Sequence, residues 1–442
     1  MVVLNNSSYP FFLTLAFLAF LAVRSLPKKI LSFLTLFLIA IITFTSCNTR
    51  QTNQNGIITI SLSGWSNLNE QQLLQQVIKN FETQHPHIKV KYDVIADEYM
   101  DVLKTRLIGE TAADVFYLDA FAAPEIMLPG VLEPLDNYIT DKFNLADFNP
   151  KFLKAFQQDN KLYGLPKDFS TLALFYNKKA FQAAGLTQPP KTWSELREYA
   201  KILTVDKNQN GIKQYGFGIL PELARQAFMI EAFGGKLTDS HGKVTFADSD
   251  LKGLQLIIDQ YRQDKSTVQP TDVGTNSGSE MFGQEKVAMV IEGPWLIPYL
   301  KETFPNVEYA TTEVPTVNDK PVTMAYTVAY VMNQQSRHKS AAWELISYLT
   351  GKEGMKAWTS QGSVFPTRKS VTTALGYDKN PLYSPFIAGA AYATVWQVDK
   401  NLPTISNNFN NQFISAILGK QTLANAMNKA QSTANKEISL SQ

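Results

Sequence analysis

One cysteine, Cys47, stands among 442 residues, so no intrachain disulfide can staple this fold whatever the redox state of its compartment. Histidine is nearly as scarce, with four in all. The close pair His85 and His87 lacks an evident third ligand, and a helix-to-strand turn accounts for it better than a metal. There is no Walker phosphate loop, no G-x-G-x-x-G and no G-x-S-x-G, so the local signatures of NTP hydrolysis, dinucleotide binding and the hydrolase elbow are missing. Residues 206–211, DKNQNG, open like a calcium loop. Phe217 stands where the bidentate glutamate is needed, which leaves a solvated turn. Long runs of one charge are absent too. Of the 41 basic residues, Arg24, Lys28 and Lys29 lie in 1–47, a segment without acids; with 39 acidic residues in the chain, the rest carries one net negative charge. Nothing remains to neutralise a nucleic-acid backbone. No metal, cofactor or nucleic acid is expected.

What is present is ordinary globular material, 45% hydrophobic and 18% charged, long enough for two domains or more. The N-terminus reads as an export signal. Lys28 and Lys29 precede an apolar run over 30–42, then small residues lead to Cys47 at the cleavage position. This resembles a bacterial lipobox with the thiol as lipid acceptor, although Phe44 is unusual there. A second apolar run, 11–23, is too short to span a membrane comfortably. It is read either as sequence before the true start, near Val23 or Leu26, or as part of an uncleaved two-segment anchor. Residues 48–56 form a polar tether, and the folded part starts near Ile57.

Hydrophobic periodicity alternates strand and helix from there on. Residues 57–63, 88–94 and 113–118 read as strands and 70–81 and 97–107 as helices. A second set follows: strands at 172–176, 215–219, 287–291 and 327–332, and helices at 192–203, 250–262 and 339–350. The T-W-S-E box, 192–195, opens one of these helices, and a mostly helical tail covers 407–437. Such alternation predicts an α/β fold with mostly parallel, doubly wound sheets, whose ligands sit beyond the carboxyl ends of strands. That rule points to Ser63 and Trp65 after the first strand, and to Asp119 after the third.

Carboxylates and aromatics then carry the functional reading. Asp119, Asp168, Glu222 and Glu292 could form a glycosidase pair, or accept hydrogen bonds from sugar hydroxyls. In MVIEGPWLIPYL, 289–300, a buried strand breaks at a carboxylate, a Gly-Pro turn and an indole. Trp295 is either core or a flat apolar face for the C–H side of a pyranose, and Glu292 either a turn acceptor or a ligand for hydroxyls. Glu222 reads as a charge at a helix N-terminus.

Several stretches, taken in order, resemble one family. They are FETQHPHIKVKY, ADVFYLDA, YGLPKDFSTLALFYNKKAFQAAGLTQPPKTWSEL, VAMVIEGPWLIPYL, SAAWELISYLTGKEGMKAW and GSVFPTR. The chain is similar to the extracellular solute-binding proteins of bacterial ABC importers, in the carbohydrate group that includes maltose-binding protein. The resemblance implies a two-lobed type II periplasmic-binding-protein fold with the ligand cleft between lobes. The N-terminal lobe would be 57–168 with 327–368, and the C-terminal lobe 169–326 with 369–442. It implies a monomeric, non-enzymatic lipoprotein on the periplasmic or extracytoplasmic face. That protein would deliver a sugar to permease subunits served by a separate ATPase. The matching positions are Ser63, Trp65, Asp119, Lys167, Asp168, Trp295 and Arg368, and Glu292, Tyr326 and Trp396 join them as ligand candidates. Ser170 stands where maltose-binding protein has a sugar-binding glutamate, which puts a maltodextrin ligand in doubt. Glycerol-3-phosphate or a polyol is the alternative ligand, and a secreted glycosidase the alternative class.

Overall fold

The computed structural model describes residues 56–128, 130–206, 213–246 and 248–440. By contact the chain divides after Ile58, and the fold below is that of Thr59–Gln442. Cys47, the expected signal and nearly all of the tether lie outside the described residues, as does most of 206–211. Among the described residues no helix is long and apolar enough to cross a membrane.

The first strands are β1 Ile58–Gly64, β2 Ile88–Val94 and β3 Val115–Asp119. The hairpin β4 Gln157–Gln158 and β5 Lys161–Leu162 leads into β6 Gly164–Thr171, followed by β7 Ala173–Asn177, β8 Val205–Asp206 and β9 Lys213–Gly218. The chain continues with β10 Thr267–Val268, β11 Val287–Glu292, β12 Tyr309–Thr312, β13 Met324–Met332 and β14 Thr394–Val395. One sheet has the order β14-β13-β3-β1-β2, with β6 also on β13; the other has β10-β9-β11-β7-β12, with β8 on β9. The chain passes between sheets at Leu172, where β6 gives way to β7, and again between β12 and β13. The expected lobe boundaries at 168 and 326 fall inside β6 and β13, a few residues away from these crossings.

The sheets are mixed where mostly parallel ones were expected. β1 runs parallel to β3, and β9 parallel to both β10 and β11. The strands next to a crossing, β6, β7 and β12, are antiparallel to their neighbours, and β13 is antiparallel to β3 and β6 but parallel to β14; a chain arriving directly from the other sheet has no helical crossover to bring it back in the parallel sense.

Local chemistry sets the helices. Helix Leu68–Gln84 begins in a capping box: Asn67 Oδ1 accepts from Glu70 N at 2.9 Å, and Glu70 Oε2 accepts from Asn67 N at 3.1 Å. It buries Leu74, Val77, Ile78 and Phe81, one stripe at helical spacing, each side chain contributing about 1.5–3 kcal/mol. Helix Trp193–Leu203 is capped by Thr192, whose Oγ1 accepts from Glu195 N at 3.1 Å. Glu195 bonds to Lys191 N instead of returning to Thr192, so only half of that box forms. Gly216 lets β9 approach this helix: a Cβ there would stand 1.9 Å from the Ala200 carbonyl oxygen.

Candidate functional site

Register across the first sheet gathers the site. On β13, Val328 pairs with Asp119 of β3 on one side and Asp168 of β6 on the other. The two carboxylates therefore lie in one row with their Cα atoms about 10 Å apart, two strand spacings. Tyr326 pairs with Ser170 in the same ladder. Parallel pairing of β1 with β3 opens their carboxyl ends on one edge, where Trp65 follows β1 and Asp119 ends β3.

A bulge shapes the crossing strand. Val328 pairs with Asp168 but Ala329 with Pro166, so Lys167 is the extra residue. Adjacent strand residues ordinarily face opposite ways. Here the bulge lets Lys167 and Asp168 share a face, and Lys167 Nζ donates to Asp168 Oδ2. Both side chains are buried. Trp358 Nε1 donates to the same Asp168 oxygen at 2.7 Å, and the ammonium sits 4.2 Å from the Trp358 ring centroid and 4.6 Å from that of Tyr117.

The second sheet supplies the opposing wall. After β11 the chain turns at Gly293-Pro294 into helix Leu296–Thr303, and the Trp295 indole folds back over Gly293. A Cβ on Gly293 would lie 2.2 Å from the ring. Glu292 Oε2 accepts from Trp295 Nε1 and from Gly293 N, both at 3.1 Å, with Arg225 Nη1 3.4 Å away. The Arg225 guanidinium stacks 4.9 Å from the Trp295 ring and 5.8 Å from Tyr326, whose hydroxyl donates to Ala224 O at 2.6 Å. Burial opposes the charge on Arg225, yet Glu292, with Tyr326 and Glu222, raises its pKa overall.

Between these walls lies a cavity of about 240 Å³ lined by Trp65, Asp119, Lys167, Asp168, Ser170, Trp295, Tyr326, Thr327 and Trp358, with Glu70, Ser363 and Val364 nearby. Trp65 is held edge-on by Tyr99 and Tyr117 at centroid distances of 4.8 and 5.2 Å. Gly64 makes room, since a Cβ there would meet the Tyr117 ring at 2.6 Å. Burial pushes the Asp119 carboxyl up to about 7 against the Phe121 N–H bond; Asp168 adds to the rise and Lys167 opposes it.

The structure thus brings together Trp65, Asp119, Lys167, Asp168, Trp295 and Tyr326 of the expected positions. It separates four others. Ser63 is buried in β1, its carbonyl accepting from Tyr99 OH. Glu292 lies behind the indole, its carboxylate engaged by Trp295, Gly293 and Arg225. Arg368 is enclosed by carbonyls: Nε donates to Thr350 O at 2.6 Å, Nη1 to Asn144 O at 3.1 Å and Nη2 to Phe143 O at 3.0 Å. Its guanidinium stacks on Phe148 at 4.1 Å, so it holds loops together instead of rimming this cavity. Trp396 lines a different cavity, of about 360 Å³, with Glu231 and Met324. Glu222 is the exposed N-cap of helix Leu223–Ala232, as a helix-terminal charge should be.

Sequence reasoning missed Glu70, Trp358 and Arg225. Trp358 ends helix Lys352–Trp358 and Arg225 sits in the first turn of helix Leu223–Ala232; nothing local marks either as facing a site. Glu344 lies 3.5 Å from His87 and 3.9 Å from His85, but no set of three such groups is arranged to hold a metal among the described residues.

The profile of the bacterial extracellular solute-binding protein family matches residues 65–356. The mannitol-binding protein of Pseudomonas aeruginosa is 25% identical over 371 residues, covering 79% of this chain and 82% of that one. A Thermotoga lettingae ABC-transporter solute-binding protein bound to α-D-tagatose superposes with a TM-score of 0.74 at 26% identity, covering 86% of this chain and 99% of that one. A Listeria monocytogenes ABC substrate-binding protein in complex with cycloalternan gives 0.77 at 22% identity, with the same coverage. The likeness extends over both sheets, so the fold is the two-lobed one of these proteins.

Proposed function

The chain belongs to the bacterial extracellular solute-binding proteins, and we propose that it captures a neutral sugar in the cavity beneath Trp295 for import by an ABC permease. The observation that carries this reading is the lining. Three indoles, Trp65, Trp295 and Trp358, surround a small space beside Asp119, Ser170 and Thr327. Indole faces suit the C–H faces of a sugar ring, and carboxyl and hydroxyl groups suit its rim of hydroxyls. Lys167, the one cation lining the cavity among the described residues, already belongs to Asp168. A phosphorylated ligand such as glycerol-3-phosphate would need a free cation, and a polyol would leave the ring faces unused. The relatives named for mannitol, tagatose and cycloalternan support a polyhydroxylated ligand.

The rest of the reading follows the family. The lobes are 57–168 with 327–368 and 169–326 with 369–442, give or take the crossing strands. Cys47 carries the lipid anchor on the extracytoplasmic face, the chain acts as a monomer, and a separate ATPase drives import.

The test is thermal shift and calorimetry against mono- to tetrasaccharides, polyols and glycerol-3-phosphate, on wild type and Trp295→Ala. A bound sugar at 100 times its Kd should add about 2.7 kcal/mol of stability. Trp295→Ala should cost roughly 2–4 kcal/mol of binding, about 30- to 1,000-fold in Kd, with a nearly unchanged denaturant midpoint. A loss of about 3–5 kcal/mol in stability with affinity intact would make the indole core. Stabilisation by glycerol-3-phosphate alone, or hydrolysis of glycosides by pure protein, would sink the reading.

A further inference from the structure

The cavity of about 360 Å³ that Trp396 lines is separate from the candidate sugar site and lies where helix Leu223–Ala232, the loop after it and β14 meet. Its volume falls within the roughly 300–1,000 Å³ of ordinary ligand sites. Ile230, Leu237, Met324 and Trp396 give it buried apolar walls. Two ionisable side chains line it as well, Glu231 from the helix and Lys236 from the loop. The half-buried Glu231 carboxyl accepts from the Thr394 hydroxyl, yet burial holds its pKa above the ordinary carboxylate value, and no charged group acts on it, Lys236 included. Lys236 is exposed and has no ion-pair partner among the described residues. An acid and a base thus line one apolar space without neutralising each other. A polyol finds little here, because Gln397 Nε2 is engaged by Ala120 O and Ala155 O, each at 2.8 Å, and the Thr394 hydroxyl by Glu231.

We propose that this cavity binds a second ligand, a zwitterion of the amino-acid class, with its ammonium on Glu231, its carboxylate on Lys236 and its apolar body against Leu237, Met324 and Trp396. Each charge of such a ligand completes one that the cavity leaves alone, and charge-assisted hydrogen bonds are about twice as strong as neutral ones. The site is independent of sugar capture and stands or falls without it.

The experiment is calorimetry on the full chain with two zwitterions, L-leucine and ε-aminocaproate, whose charges lie close together and far apart. Each is compared with its singly charged analogues: leucinamide and N-acetyl-leucine for the first, hexylamine and caproate for the second. At least one zwitterion should bind wild type with a Kd of about 1 mM or below, and about tenfold or more tightly than either of its analogues. Glu231→Gln, which keeps an acceptor for Thr394, should erase the advantage over the analogue that lacks the ammonium. Lys236→Met should erase the advantage over the analogue that lacks the carboxylate. Denaturant midpoints check that both variants fold, and the wild-type series decides alone if either does not. Singly charged analogues that bind wild type as well as the zwitterions would make the cavity merely apolar. Absence of binding to wild type up to about 10 mM, or discrimination that survives in both folded variants, would equally overturn the site.

Discussion

Asp119 shows how a residue can be legible in position and unreadable in state. Its place at the end of β3 follows from the strand pattern; its proton does not. Burial, the largest influence, raises its pKa from 3.8 to about 7. The folded protein thus holds a proton through a range, pH 4 to 7, where the unfolded chain has lost it. Stability should be fully present below about pH 4 and should fall as pH rises through 7. Asp119→Asn, which cannot ionise, should remove that fall: near-neutral at pH 4, stabilising at pH 8 by on the order of 2 kcal/mol. Parallel denaturant titrations at the two pH values would check it, and equal effects at both would show the carboxyl ionises normally. Glu292 and Arg368 were visible as charges near the right turns, but which way they face depends on distant partners. Arg225 comes from another helix to claim Glu292, and the carbonyls of Phe143, Asn144 and Thr350 enclose Arg368.

At the scale of elements, regular periodicity was readable and interruption was not. β2 matches its expected span, and helices Leu68–Gln84, Asp248–Arg262 and Lys339–Leu349 fall within a few residues of theirs. β6 was missed because GLPKDFST neither alternates nor avoids proline, and all its residues are buried. The same irregularity is what the site uses, since the bulge turns Lys167 and Asp168 to one face. A buried pair created this way should be strongly coupled. Lys167→Met leaves Asp168 buried without its cation and should cost about 3–5 kcal/mol, whereas adding Asp168→Asn should recover much of that loss. Urea unfolding of the two single variants and the double gives the coupling energy. Additive losses would mean that the two side chains do not depend on each other.

For the whole molecule, the walls of the cavity come from different sheets: Trp65, Asp119 and Asp168 from the first, Trp295 from the end of β11 in the second. A space of about 240 Å³ walled this way widens or narrows whenever the two sheets move relative to each other, so capture of a sugar can be coupled to that movement. The chain crosses at three places, Leu172, the β12–β13 connection and the return from β14 into the helix Leu402–Ile417 packed on the second sheet's core, and a few residues at such crossings suffice for a hinge. Little opposes it at the rim. The Asn69–Glu302 contact joins helix Leu68–Gln84 to helix Leu296–Thr303, but both side chains are exposed, where such contacts contribute about 0–1 kcal/mol. The free protein should therefore populate an open form, and a ligand that touches both walls binds the closed form better by the contacts it gains there. Small-angle scattering at saturating sugar should show a smaller radius of gyration than without it. Glu302→Ala should enlarge the unliganded value further, or leave it unchanged if the open form already predominates, while the liganded value stays the same. An unliganded profile identical to the liganded one in wild type and Glu302→Ala alike would mean that the closed form is the resting state, and that sugar must enter by local fluctuation of the rim rather than by hinge opening.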